Sequence, residues 1–151
     1  MVDGPWAEIE RRISPQQYDA LRPMSLSELC RLPSELIEVG AHTRTHCILS
    51  NESRQRRHAE IVGSVEDVRR WTGIARPLFA YPNGTLRDFD EQDKRVIAQI
   101  CDAAVIGVPG ANASPVDPFA LHRFPISMNH DNAAFVAEIT GAREFLKKLI
   151  Q

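Results

Sequence analysis

The sequence predicts an α/β domain: a parallel sheet covered by helices, either doubly wound or forming part of a β/α barrel. Short apolar runs of strand length recur at about Glu35 to Ala41, Leu78 to Tyr81, Val105 to Val108 and Leu121 to Ile126. Between the earlier runs lie segments with apolar residues at helical spacing and capping residues at their starts. The chain has 151 residues, 43% of them hydrophobic, enough for one domain with a real core and too few for two ordinary ones.

Trp6, Ile9 and Ile13 recur at helical spacing, and Ser14-Pro15-Gln16-Gln17 supplies a capping serine, a proline at the first helical position and a glutamine at the third. Tyr18 and Leu21 then face inward. Ser25-Leu26-Ser27-Glu28 repeats the capping-box pattern and starts a short helix with Leu26, Leu29 and Leu32 that Pro33 closes. The first strand follows, with alternating Ile37, Val39 and Ala41.

Ser50 or Asn51 caps a longer helix whose Ile61, Val65, Val68 and Thr72 form one stripe, ended by Gly73. Arg56, Arg57, Glu60, Arg69 and Arg70 occupy its solvated face. Pro77 introduces Leu78-Phe79-Ala80-Tyr81, a buried strand cut off by the turn residues Pro82-Asn83-Gly84. Asp90 caps a helix carrying Val96, Ile97, Ile100 and Ala104, before the short strand Val105-Ile106-Gly107-Val108. Pro109 to Pro118 is a loop by composition. Phe135, Ile139, Ala142, Leu146 and Leu149 mark an amphipathic final helix, with Lys147 and Lys148 suited to its C-terminal end.

The 18 basic and 20 acidic residues nearly cancel, so no global field favours nucleic acid, an anionic membrane or a strongly charged substrate. Arg54, Arg56 and Arg57, extended by Arg69-Arg70, invite a phosphate reading, against which stands the ordinary charged helix face. Cys30, Cys47 and Cys101 are odd in number and widely spaced, which fits free thiols and neither a disulfide framework nor a CxxC metal cluster. Met1 to Glu10 lacks a basic start followed by an apolar run, and no window approaches the roughly 18 apolar residues of a membrane span. The expectation is a soluble chain, cytoplasmic by default.

In parallel α/β architectures functional residues gather at the C-terminal ends of the strands. Gly40-Ala41-His42-Thr43-Arg44-Thr45-His46 places two histidines four apart at such an end. Imidazole is the commonest protein metal ligand and a base near neutral pH, so the pair is a candidate catalytic metal site that needs a third ligand. Small Gly40 and Ala41 allow close backbone approach, and Thr43 and Thr45 can fix the loop through local side-chain to backbone hydrogen bonds. From spacing alone, surface or satisfied core histidines are an equal reading. The Pro82-Asn83-Gly84 turn marks a second strand exit.

Gly40 to Ser50, GAHTRTHCILS, resembles the His-[Ser/Thr]-x-x-His motif of the polysaccharide deacetylases, the NodB-homology family. Phe79-Ala80-Tyr81-Pro82-Asn83-Gly84 resembles that family's aromatic-x-x-Pro-Tyr-Gly motif. The interval between them is also similar, as is the stretch from Asp117-Pro118-Phe119 to Arg123-Phe124-Pro125-Ile126.

The resemblance implies a distorted β/α barrel and a hydrolase of carbon-nitrogen, non-peptide bonds. It would remove N-acetyl groups from an N-acetylated sugar polymer with a divalent metal, usually zinc. His42 and His46 match the two metal-binding histidines, and Thr43 matches the hydroxyl position that braces their loop. Asn83 stands in place of the family's tyrosine, whose backbone N–H helps to hold the oxyanion, a role that survives a change of side chain. Tyr81, Pro82 and Gly84 belong to the substrate or supporting side of the same motif. Tyr81 is also the better-placed aromatic for stacking on a sugar ring, whereas Trp71 and Phe79 read as core.

The family's further metal ligand and its base are aspartates of a Thr-Phe-Asp-Asp type motif, which this sequence does not contain. The acidic pair Glu66-Asp67 lies mid-helix and reads as solvated. His58 and His130 read as helix and turn residues rather than substitute ligands. Arg76 lies too far upstream to act as the arginine that many members carry before Pro-Tyr-Gly. Leu121-His122-Arg123 does not fit the late Leu-x-His motif, which leaves His122 without a role. A β/α barrel takes about 250 residues. The expectation is therefore a single deacetylase-like domain over residues 1–151, a partial barrel lacking its first strand or strands and incomplete at the N-terminus. Such a chain would bind metal weakly and hydrolyse slowly or not at all. Its exposed barrel edges would be covered by a homo-oligomer or a companion chain. The alternative is a non-catalytic carbohydrate-binding or regulatory module of the same fold.

Overall fold

The computed structural model describes residues 14, 22–142 and 145, in two units that divide after Ile37. The helical segments expected between Trp6 and Leu21 lie, apart from Ser14, outside the described residues, as do Leu146 to Leu149.

In the first unit, α1 (Leu26–Leu29) starts as its capping box predicts. The Ser25 hydroxyl accepts from the Glu28 N–H at 3.3 Å, and Glu28 Oε2 accepts from the Ser25 N–H at 2.9 Å. After Pro33 the chain turns instead of extending: the N–H groups of Leu36 and Ile37 both donate to the Pro33 carbonyl at 2.9 Å. That turn removes most of the first expected strand, leaving Ala41 as its one paired residue.

The second unit contains α2 (Arg54–Thr72), β1 (Phe79–Ala80), α3 (Glu91–Ile100), β2 (Ala104–Val105) and α4 (Asn132–Ile139), with a 3-10 turn at Leu49–Asn51. Four segments run parallel and neighbour one another in chain order. Ala41 bridges to Phe79, β1 pairs with β2 in the register Phe79 to Ala104 and Ala80 to Val105, and Val105 bridges to Leu121. Parallel neighbours require crossovers, here supplied by α2, by α3 and by the loop before Leu121.

The two later strands are shorter than expected because their backbone groups are diverted. The Gly107 N–H donates to the Gly84 carbonyl at 2.8 Å, outside the β1–β2 ladder. The Ile106 carbonyl accepts from Arg123 Nε at 3.1 Å, so a side chain takes the place of a further ladder bond.

In α2 the cap is Ser53, whose hydroxyl accepts from the Arg56 N–H at 3.3 Å, because Ser50 and Asn51 are held in the 3-10 turn. Ile61, Val65 and Val68 of the expected stripe are buried, the first two fully covered, Thr72 is half-buried, and Gly73 ends the helix at φ 77°. On the face expected to be solvated, Arg56 and Arg70 are exposed and Arg57 and Arg69 half-buried, whereas Glu60 is buried, and ion pairs run along it. Arg57 ties α2 to α3 through Asp90 at 2.9 Å and Asp93 at 3.1 Å, while Arg56 and Arg70 pair with Glu60 and Asp67. This arginine face is thus met by the chain's own carboxylates. Asp90 caps α3 as expected, accepting from Gln92 and Asp93, and Arg76 donates to the Ala98 and Gln99 carbonyls at the helix's other end.

The described part of the apolar stripe expected on the last helix is not buried. Phe135 and Ile139 are 41% and 51% exposed, and the buried residue of α4 is Glu138. No helix among the described residues is long and apolar enough to cross a membrane. Cys30, Cys47 and Cys101 form no disulfide, and burial pushes the Cys101 thiol up to about 11.

Candidate metal and substrate site

Because the four segments are parallel, their C-terminal ends lie on one side of the sheet. His42 follows Ala41, the Pro82-Asn83-Gly84 turn follows β1, Gly107 follows β2, and His122 follows Leu121. The rings of His42 and His46 lie 4.8 Å apart, centroid to centroid, inclined at 69°. His42 Nδ1 is 2.7 Å from the carbonyl oxygen of Ala80. A carbonyl only accepts, so Nδ1 carries a proton, and in the neutral ring Nε2 is then the nitrogen that holds the lone pair. Metal-ligating histidines are oriented in this way by a donor bond from the other ring nitrogen.

The loop joining the two histidines is unusual. Thr43 and His46 both have positive φ, 58° and 57°, a conformation uncommon for residues with a side chain. The loop is held from α2. Glu60 is 2% exposed, and its Oε2 accepts from the N–H groups of Arg44 at 2.8 Å and Thr45 at 2.9 Å. Its Oε1 accepts from the Thr45 hydroxyl at 3.0 Å. Burial alone would push this carboxyl up, but the donors on Thr45 and Arg44 and the Arg56 charge outweigh it and hold Glu60 below the usual range.

The Arg44 side chain reaches Asp67, with Nε at 2.8 Å and Nη2 at 3.1 Å from its oxygens. Thr45 therefore fixes the loop through α2 rather than through local backbone. The Thr43 hydroxyl oxygen is buried and has no partner among the described residues.

The second exit is equally constrained. Asn83 and Gly84 take φ of 58° and 74°, which asparagine tolerates and glycine favours. Asn83 Nδ2 donates to Asp88 Oδ2 at 2.8 Å, and the same oxygen accepts from the Thr85 N–H at 2.7 Å. Gly107 lies directly against this turn. A Cβ on Gly107 would fall 2.2 Å from the Asn83 carbonyl oxygen, and one on Gly84 would fall 2.5 Å from the Gly107 nitrogen. Two glycines thus let neighbouring strand exits interlock. Gly107 was missed as a site residue, although a glycine inside a strand pattern is a recognised sign of close backbone approach.

Tyr81 sits in the core beneath the turn. It is 2% exposed, stacks on Phe89 at 3.8 Å and donates its hydroxyl to the Phe119 carbonyl at 3.0 Å. Burial pushes its phenol well up. Its ring offers no open face to a sugar, and buried Pro82 likewise supports the turn from within. His58 is exposed on α2, and His130 Nδ1 accepts from the Ser127 N–H at 3.4 Å. His122 donates through Nδ1 to the Val108 carbonyl at 3.0 Å and borders a pocket of about 330 Å³ with Leu86, Asn112 and Asp117.

His42 and His46 fit two positions of a nitrogen-donor metal site, with a partnerless hydroxyl in the loop between them. Among the described residues no group of three His, Cys, Asp or Glu side chains completes it. A catalytic zinc site ordinarily uses three protein ligands.

The family model described as polysaccharide deacetylase matches residues 10–102. In fold the chain is similar to the crystal structure of a polysaccharide deacetylase from Bacillus cereus, at 24% identity and a TM-score of 0.65. It is also similar to that of an assigned polysaccharide deacetylase from Bacillus anthracis, at 21% identity and a TM-score of 0.65. Each likeness covers 80% of this chain and 38% of the other, so the chain spans about two fifths of the length of these structures. The four parallel segments correspond to part of their β/α barrel fold. No curated protein matches the chain. The family match takes in more than half of the sequence, including the strand exits at His42 and at Pro82-Asn83-Gly84, and the chain belongs to the polysaccharide deacetylase family.

Proposed function

We propose that this domain serves the metal-dependent hydrolysis of N-acetyl groups on an N-acetylated sugar polymer. His42 and His46 would hold the metal, and the Asn83 turn would hold the acetyl oxygen. The observation that carries this reading is the tie between His42 and Ala80, which fixes an imidazole against the strand that leads into the Asn83-Gly84 turn.

A bound divalent cation, zinc by ligand type, would polarise the acetyl carbonyl and lower the pKa of water toward about 7. The chain's own residues prepare for that chemistry. His42 presents Nε2 with its lone pair free, because Nδ1–H is engaged by Ala80. The Asn83 N–H has no acceptor among the described residues and supplies the oxyanion donor. The buried Thr43 hydroxyl, also without a partner among them, lies in the loop between the two histidines. Gly84 and Pro82 hold the donor in place.

In the reaction water adds to the acetyl carbon, the C–N bond breaks, acetate leaves and the amine takes a proton. A base and an acid are required. Both, with the third metal ligand, would come from groups outside the described residues.

Acetate release from N-acetylglucosamine oligomers, measured with zinc present, tests the proposal. Slow release that disappears in His42→Ala and in His46→Ala supports it. Release unaffected by either substitution would overturn it. Oligomer binding without any release would favour a non-catalytic carbohydrate-binding module instead.

A further inference from the structure

We infer that Glu60 is the positioning residue of the histidine pair, acting with Gly63 and Asp67 as a clamp on one face of α2. The clamp grips Arg44-Thr45 and so sets the separation of His42 and His46. Its consequence for metal binding rests on the proposed deacetylase site; the clamp itself does not.

Residues 60, 63 and 67 recur at three and then four positions, which puts them on one side of a helix. Each meets a different part of the loop. Glu60 takes three donors from two consecutive residues: the N–H of Arg44, the N–H of Thr45 and the Thr45 hydroxyl. Arg56 balances the carboxylate at 2.7 Å. Two adjacent N–H groups aimed at one oxygen form an anion cradle, which a carboxylate fills better than an amide.

Gly63 provides room. A Cβ there would fall 2.6 Å from Arg44 Nε and 2.9 Å from its Cδ, so the Arg44 side chain crosses the helix where no side chain stands. It then reaches both oxygens of Asp67. Arg44 is held at its backbone and at its guanidinium, and Thr45 at its backbone and at its hydroxyl. Two of the four peptides between the histidines, those bearing the Arg44 and Thr45 N–H groups, are thereby fixed, which sustains the left-handed conformation of Thr43 and His46 on either side. The loop supplies little of this restraint itself, since the Thr43 hydroxyl engages nothing among the described residues.

The test compares the wild-type chain with Glu60→Gln, Thr45→Val and Ser53→Ala. Ser53 caps the same helix but does not touch the loop, so its variant reports general destabilisation. In metal-free protein, amide hydrogen exchange at Arg44 and Thr45 and the His42–His46 ring contact are followed by NMR. Zinc affinity is measured separately.

Glu60→Gln is expected to lose protection selectively at those two amides, to weaken the ring contact, and to bind zinc about 10–100-fold more weakly, the usual effect of removing a group that orients a ligand. Thr45→Val should shift the same signals less, which keeps the test decisive should Glu60→Gln fail to fold. Ser53→Ala should lower stability without a selective loss. Unchanged exchange and ring contact in the folded variants, or equal loss in Ser53→Ala, would overturn the clamp. A wild-type chain that takes up no zinc would remove the metal reading, while the exchange data would still decide the role of Glu60.

Discussion

The Nδ1–H of His42 donates to the carbonyl oxygen of Ala80 at 2.7 Å, so the first candidate ligand is oriented by the strand that leads into the turn bearing the proposed oxyanion donor. This bond couples the two sequence motifs physically. Moving β1 would rotate the imidazole, and a shift of the histidine loop would be felt at Ala80. The bond also accounts for the tautomer that leaves Nε2 available.

Gly107→Ala should damage the second motif from a neighbouring strand. The added Cβ would fall 2.2 Å from the Asn83 carbonyl oxygen, a backbone atom that cannot swing aside. The expected loss is about 1–3 kcal/mol of stability, with acetate release reduced as the turn is displaced. Urea denaturation read alongside the activity assay checks this, and an unchanged midpoint would refute the close packing.

Asn83→Gly and Asn83→Val separate backbone from side-chain roles. Glycine keeps the N–H and accommodates φ 58°, so turnover should stay near the wild-type level. Valine keeps the N–H but resists that conformation, at roughly 1–2 kcal/mol. A large drop in turnover for the glycine variant alone would transfer the role to the Asn83 amide side chain.

Stability should fall in acid for a definable reason. Glu60 and Asp67 are both held below their usual pKa, Glu60 by donors that outweigh its burial and Asp67 by the Arg44 hydrogen bonds first. A carboxyl depressed on folding stabilises fully above its unfolded value, near 4, and loses that contribution as pH falls through the folded value. Denaturation midpoints should therefore decline below about pH 4, and less steeply in Glu60→Gln. Parallel profiles for the two proteins would contradict the assignment.

Tyr81→Phe should lower stability by about 1 kcal/mol through loss of the bond to Phe119, without changing KM for the oligomer. A marked rise in KM at unchanged stability would mean that Tyr81 meets substrate.

Much of the scaffold was legible because its signals are local. Ser25, Asp90 and Gly73 end or begin helices through their own side chains or conformation, and the Ile61, Val65 and Val68 stripe is buried as its spacing predicts. Glu60 and Asp67 were not legible, since an acid on a helix reads as solvated until the loop that meets it is known. Their partners lie 15 and 23 residues away and include backbone N–H groups, which have no signature in composition. Strand lengths failed for a related reason. Apolar runs locate β2 and the Leu121 bridge, but the Gly107 bond to Gly84 and the Arg123 bond to Ile106 decide where pairing stops.

Calorimetric titration of zinc into the wild-type chain, His42→Ala and His46→Ala tests the central claim most directly. The account predicts weak uptake at a single site in the wild type and its loss in each variant. Uptake of equal strength in all three proteins, or in none, would contradict a metal site built on His42 and His46.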